Sequence, residues 1–250
     1  MHPILFRVGA TPVYTYTILI YLGFVLGLLV AVRAGQRRGL RPEQVVDAAL
    51  WMTLPALIGG RIGHILPEWA NYAANPQMAL SVRAGGFVFQ GVLLGGALGG
   101  LLYARRLGVS LAALSDLAAL GLPVGQTCGW LGALMHGANY GMVSYAGWAW
   151  ELPDVYGMVM PRFPTQAVAA VGFLGIEALL LVLWRRHPAP GILFPLYLLT
   201  MGLLLVPLEC TRGDAGWRWG AWRAAQVLLT LEAGLGLTLL VVARHHTKDG

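Results

Sequence analysis

Apolar residues in this chain come in long runs separated by short polar stretches, and seven such runs lie near 14–32, 46–66, 85–104, 111–135, 163–184, 191–209 and 222–243. Each approaches the roughly 20 residues that a helix needs to cross the hydrocarbon of a bilayer. The pattern predicts an all-α polytopic membrane protein with seven transmembrane helices. No polar stretch is long enough to fold separately, so residues 1–250 read as a single transmembrane domain. Composition agrees: 57% of residues are hydrophobic, 11% are charged and the mean hydropathy is +0.66, far from the values of a soluble domain.

The connections between runs alternate in charge. Arg33, Arg37, Arg38 and Arg41 follow the first run, Arg105 and Arg106 the third, Arg185 and Arg186 the fifth, Arg244 and Lys248 the seventh. The intervening connections hold fewer cations (Arg7, Arg83, Arg162, Arg212 and Arg218) together with Glu68, Glu151, Asp154 and Asp214. Because Lys and Arg are retained on the cytoplasmic side, the N-terminus is expected outside and the C-terminus in the cytoplasm. The net charge of +6 then serves orientation and anionic lipid headgroups. It does not indicate nucleic acid, since no basic helix or aromatic platform for bases accompanies it. The first run lacks a cationic leader and a small-residue cleavage site and reads as a retained helix.

The outer connections, about 67–84, 136–162 and 210–221, are the longer ones and carry most of the Trp and Tyr outside the runs, including Trp148, Trp150, Trp217 and Trp219. Such residues form an interfacial belt, and the asymmetry in loop length points to a working face on the outside. Glycine is abundant, 34 residues, and the third run contains Gly91, Gly95, Gly96, Gly99 and Gly100. Small residues at these intervals let helix backbones approach closely in lipid.

Candidate chemistry follows from cost. Arg61 lies in the outer part of the second run, where a permanent charge is expensive and marks a site by default, the alternative being an anchor that snorkels to the headgroups. At similar depth stand Tyr16, His64, Gln90, His136 and Asn139, and towards the other helix ends Arg162, Gln166, Glu209, Arg212 and Gln226. Together they suggest a polar cavity open to the outside. Arg61, Arg162 and Arg212, with Gln166 and Gln226, are candidates to hold the phosphate of a lipid headgroup, with Glu209 orienting Arg212. His136 is the candidate proton acceptor, and Tyr16, Gln90 and Glu209 join it as candidate catalytic residues. Cys128 and Cys210 fit no metal-ligand spacing, and no HExxH or phosphate-cradling loop occurs, so soluble hydrolase and nucleotide-binding classes have no support. Both cysteines read as inert thiols, with a disulfide between them left open. Asp116, Glu177 and Glu232 lie within runs, and a transporter would start from them.

These positions resemble the prolipoprotein diacylglyceryl transferase family. Tyr16 falls on the family's functional Tyr; Gly59-Gly60-Arg61-Ile62-Gly63 matches its glycine-flanked Arg; Ser115-Asp116 matches the start of its fourth span. Arg162-Phe163-Pro164-Thr165-Gln166 resembles R-H-P-[ST]-Q, Glu209-Cys210-Thr211-Arg212 resembles E-x-x-R, and Gln226 matches the Gln that opens the last span. The resemblance implies a multi-pass enzyme of the bacterial inner membrane, active face outward, that moves diacylglycerol from phosphatidylglycerol to the thiol of a lipobox cysteine. Its partners would be phosphatidylglycerol or another anionic phospholipid and preprolipoprotein signal peptides, and no metal or soluble cofactor would be needed. Departures accompany the matches. Gln90 stands where the family's H-G-G has His; Trp130, Ala133, His136 and Ala138 replace Arg, Asn, Asn and Glu of G-R-x-G-N-F-x-N-G-E; Leu205 stands where the family has an Arg one turn before Glu209. Two functions stay open: a divergent transferase, and a lipid-binding or lipoprotein-handling relative without catalysis.

Overall fold

A computed structural model describes residues 3–81 and 86–246, so Arg83 and Lys248 lie outside the described residues. The chain divides into two compact units, Met1–Ala31 with Ala118–Gly250, and Val32–Leu117.

In the Val32–Leu117 unit, helix α2 (Pro42–Ile65) is followed by a short α3 (Trp69–Ala74), a 3-10 turn (Pro76–Leu80) and α4 (Phe89–Leu107). Pro42 occupies the first turn of α2, where its missing N–H costs nothing, and the Gln44 side chain accepts from the Arg41 N–H at 3.0 Å. Glycine decides how α2 meets α4. A Cβ on Gly59 would run into the Gly91 carbonyl, one on Gly91 into the Gly59 carbonyl, and one on Gly95 into the Pro55 carbonyl. Backbone thus lies on backbone, the contact that small residues permit between helices in lipid. Near the other end of α4, Tyr103 is fully buried beside Ala48, Ala104 and Leu114 and donates its hydroxyl to the Gln44 carbonyl at 2.9 Å.

The other unit begins with hairpin β1 (Ile4–Val8) and β2 (Thr11–Tyr14), which leads into α1 (Thr15–Arg37). Its portion of α1 packs on α5 (Leu111–His136), again through glycine, with Gly27 and Gly121 each closed off by the other's carbonyl. Hairpin β3 (Trp150–Pro153) and β4 (Val159–Arg162) precedes α6 (Thr165–Trp184); α7 (Leu193–Glu209) follows; and hairpin β5 (Arg218–Trp219) and β6 (Trp222–Arg223) runs into α8 (Ala224–His246). Gly202 on α7 is filled by Ala233 and the Leu229 carbonyl of α8, and Gly172 on α6 by Leu204 of α7.

All seven apolar runs lie on helices. Among the described residues, five helices are long and apolar enough to cross a membrane: α1, α2, α5, α6 and Ala224–Ala243 of α8. Helix α7 is shorter at 17 residues, and α4 ends on Arg105 and Arg106. The chain is a mostly helical, multi-pass membrane protein. Two features differ from the sequence reading. The third run starts four residues late as a helix, at Phe89, because Val88 is extended and gives its N–H to the Gly60 carbonyl at 3.0 Å. Among the described residues, the connections also contain six short strands that an all-α reading omits. Their backbone groups need partners once loops are packed down, and antiparallel hairpins supply them locally.

Candidate active site

Arg61 lies in the last turns of α2 and is 9% exposed. Its guanidinium gathers the loop beyond α3: Nε donates to the Ala79 carbonyl at 2.9 Å, Nη2 to Met78 at 2.6 Å and Ser81 at 3.2 Å, and Nη1 to Gly86 at 3.1 Å. The rings of Tyr72 and Phe87 lie 5.5 and 6.0 Å from its Cζ. The charge is thus satisfied by carbonyl dipoles and aromatic faces, and the fork of donors ties Met78, Ala79, Ser81 and Gly86 to one point. His64 stacks edge-on against Tyr72 at 6.0 Å. Gln90 is half-buried in the first turn of α4, in this same unit.

The remaining candidates belong to the other unit, and there the structure brings most of them together. Glu209 closes α7 and is buried, with one carboxylate oxygen accepting from Arg212 Nη1 at 2.6 Å and the other from Arg223 Nε at 2.8 Å. Asp214 mirrors it: Arg212 donates to it through Nε at 2.8 Å and through Nη2, and Arg223 through Nη2 at 3.2 Å. Arg223 adds a bond from Nη1 to the Asp214 carbonyl at 3.0 Å, and Arg212 Nη2 one to Asn139 Oδ1 at 2.9 Å. Two cations and two carboxylates so form a closed, formally neutral quartet in which each acid bridges both arginines. Burial alone would pull the Arg212 guanidinium down, but Asp214 and Glu209 outweigh it and raise it above its ordinary value. Arg212 therefore stays cationic at every accessible pH.

The loop after α5 is tied to the quartet through the backbone. Met142 donates to the Thr211 carbonyl at 2.7 Å, Gly213 to Tyr140 at 2.9 Å, and Phe163 to Met142 at 3.0 Å. This route passes through Gly137 (φ 76°) and Asn139 (φ 53°), both left-handed, and a Cβ on Gly137 would collide with the Asp154 carbonyl. Gly141 is held to glycine for a different reason, since a Cβ there would meet the Phe163 carbonyl.

Arg162, at the end of β4, gives Nη2 to Asp154 at 3.0 Å and lies 4.5 Å over the Tyr140 ring. Asp154 is fixed in turn by the N–H groups of Tyr156 and Met158, at 2.9 and 3.0 Å. Gln166, in the first turn of α6, donates to the Ala138 carbonyl at 2.9 Å. Gln226, in the first turn of α8, accepts from the Arg223 N–H at 3.0 Å and donates to Cys210 Sγ at 3.0 Å. Both cysteines are free thiols, Cys128 buried and Cys210 exposed. His136, the last residue of α5, is exposed, with the rings of Tyr14 and Tyr16 each 6.0 Å away.

Sequence reasoning assembled Arg212, Glu209, Arg162, Gln166 and Gln226, and it missed Arg223 and the partner roles of Asp214 and Asp154. The signal for Arg223 was its place three residues before Gln226 at the edge of an apolar run. Leu205, where the resemblance leads to an arginine one turn before Glu209, is a buried apolar side chain, and Arg223 brings a guanidinium to Glu209 from another element. The carboxylates Glu177 and Glu232 do not enter these clusters. Among the described residues, Glu177 is buried with neither oxygen paired, and Glu232 Oε2 is likewise unpaired.

Fold and site define a class: a helical membrane protein whose loops close over buried arginine and carboxylate pairs at the helix ends. The family model for prolipoprotein diacylglyceryl transferase matches residues 3–242, and the chain belongs to that family. Similar proteins named phosphatidylglycerol-prolipoprotein diacylglyceryl transferase include one from Geobacter sulfurreducens, 32% identical over 96% of this chain and 94% of its own length. One from Gloeobacter violaceus is 31% identical over 85% and 82%, and one from Acaryochloris marina 29% identical over 99% and 93%.

Proposed function

We propose that this chain transfers the diacylglyceryl group of phosphatidylglycerol to the thiol of a lipobox cysteine or a related acceptor. It would do so as a seven-span protein of the bacterial inner membrane, N-terminus outside and C-terminus in the cytoplasm, with α4 and α7 as the two spans beyond the five described. In that reaction a C–S bond forms at the glycerol carbon, the C–O bond to phosphate breaks, glycerol phosphate leaves, and the thiol proton passes to a base. The observation that carries the reading, beside family membership, is the quartet of Arg212, Glu209, Arg223 and Asp214. Its polar groups are pre-oriented, and preorganised cations are what a developing phosphate charge requires. Arg212 is the cation assigned to the phosphodiester and Arg162 to the headgroup beside it, Gln166 and Gln226 support them, and Glu209 orients Arg212. His136, flanked by Tyr14 and Tyr16, is the assigned proton acceptor. Gln90 takes no proton, because an amide has no basic site near neutral pH. Arg61 enters through the loop it holds.

The test is transfer to a lipobox peptide in vesicles containing phosphatidylglycerol. The wild type should lipidate the peptide and His136→Ala should abolish it; a wild type that yields no lipidated peptide and fails to replace the family enzyme in cells overturns the transferase reading. One observation favours a second reading, a lipid-binding or lipoprotein-handling relative. Arg212 already spends every donor nitrogen on Asp214, Glu209 and Asn139, an arrangement that binds an anion only by giving up existing partners.

A further inference from the structure

At the junction of β4 and α6, two buried polar atoms have no partner among the described residues. Arg162 Nε donates to nothing, although Nη2 of the same guanidinium is held by Asp154. Gln166 Oε1 accepts nothing. Arg162 is 5% exposed and Gln166 1%, so neither atom meets bulk water. The amide of Gln166 cannot be turned over to change the pattern. Its Nε2 donates to the Ala138 carbonyl at 2.9 Å, and reversal would set two oxygens against each other. The junction therefore presents an orphan donor and, four residues on, an orphan acceptor.

The chemistry that settles both is restricted. A phosphate oxygen would accept from Arg162 and leave Gln166 Oε1 facing an anion. An ammonium group would donate to Gln166 and repel Arg162. An alcohol hydroxyl accepts and donates, and a vicinal diol offers one hydroxyl to each residue. We propose that Arg162 Nε and Gln166 Oε1 form a subsite for the hydroxyls of a glycerol headgroup, separate from the cations that meet the phosphate. The subsite deepens the transferase reading and rests on it for the identity of the lipid. It makes Gln166 a specificity determinant, because a site built to hydrogen-bond a hydroxyl is left unpaired by an analogue that lacks it.

Binding tests this directly. The full-length protein in phosphatidylcholine nanodiscs is titrated with phosphatidylglycerol or with phosphatidylmethanol of the same acyl chains, an anion of equal charge without the diol. The wild type should favour phosphatidylglycerol by about tenfold. Gln166→Met should bring the ratio near one by weakening phosphatidylglycerol alone. Arg162→Lys, which keeps the charge and removes Nε, should do the same and serves if Gln166→Met does not fold. A wild type that binds both lipids equally, with the two atoms serving only a buried water, overturns the proposal, as does a variant that weakens both lipids alike. Selectivity without transfer to the peptide would sink the transferase reading and leave the subsite standing.

Discussion

Arg223 reaches Glu209 across 14 residues of chain, Nε to Oε2 at 2.8 Å, and both side chains are buried. That bond makes the quartet possible, because Arg212 by itself faces two carboxylates.

Loss of Arg223 should therefore act through charge. Arg223→Gln leaves Glu209 and Asp214 on one guanidinium and should cost about 3 kcal/mol or more, the penalty of a buried ion stripped of its partner. Adding Asp214→Asn restores neutrality and should recover at least half of that loss, read as thermal unfolding of the purified protein in detergent.

Arg61→Lys keeps the charge and loses the fork. One ammonium cannot reach the carbonyls of Met78, Ala79, Ser81 and Gly86 together, so the connection between α3 and α4 should open. Limited proteolysis between α3 and α4 should speed up about tenfold or more, which corresponds to at least ~1.4 kcal/mol of lost local stability.

Helix packing supplies a contrast among glycines. Gly59→Ala and Gly91→Ala force α2 and α4 apart and should each cost about 2 kcal/mol or more. Gly175 and Gly234, also helical, have nothing within 4 Å of an added Cβ, and their Ala variants should stay within about 1 kcal/mol of the parent. Unfolding midpoints of the four single variants make the comparison.

Asn139 combines a left-handed backbone with a bond to Arg212. Asn139→Gly keeps the conformation and loses the bond, whereas Asn139→Ala loses both. The Ala variant should be the less stable by about 1 kcal/mol, again from unfolding midpoints. Equal midpoints would show that the backbone conformation carries no cost.

The long apolar helices were legible because hydropathy reports burial in lipid over stretches of chain, and the site was legible only in part. Arg212 and Glu209 are three residues apart on one helix end, so their pairing is local and visible. Arg223 comes from a hairpin beyond them, and nothing in its own segment says which carboxylate it meets. Arg61 looked like a phosphate ligand because an arginine among apolar residues announces a cost without naming who meets it. The carbonyls of Met78, Ala79, Ser81 and Gly86 take its donors, and a carbonyl is a group that every residue owns and no sequence marks. The hairpins escaped notice for a related reason: four-residue strands in aromatic connections carry too short a pattern to separate from an interfacial belt.

Arg223 stands at the head of α8, after every group it neutralises. Glu209 is the last residue of α7 and Arg223 the residue before Ala224 of α8, so their bond joins the adjoining ends of two packed helices. A slip of either helix along the other would have to break buried ion pairs, so the quartet also fixes the register of α7 on α8.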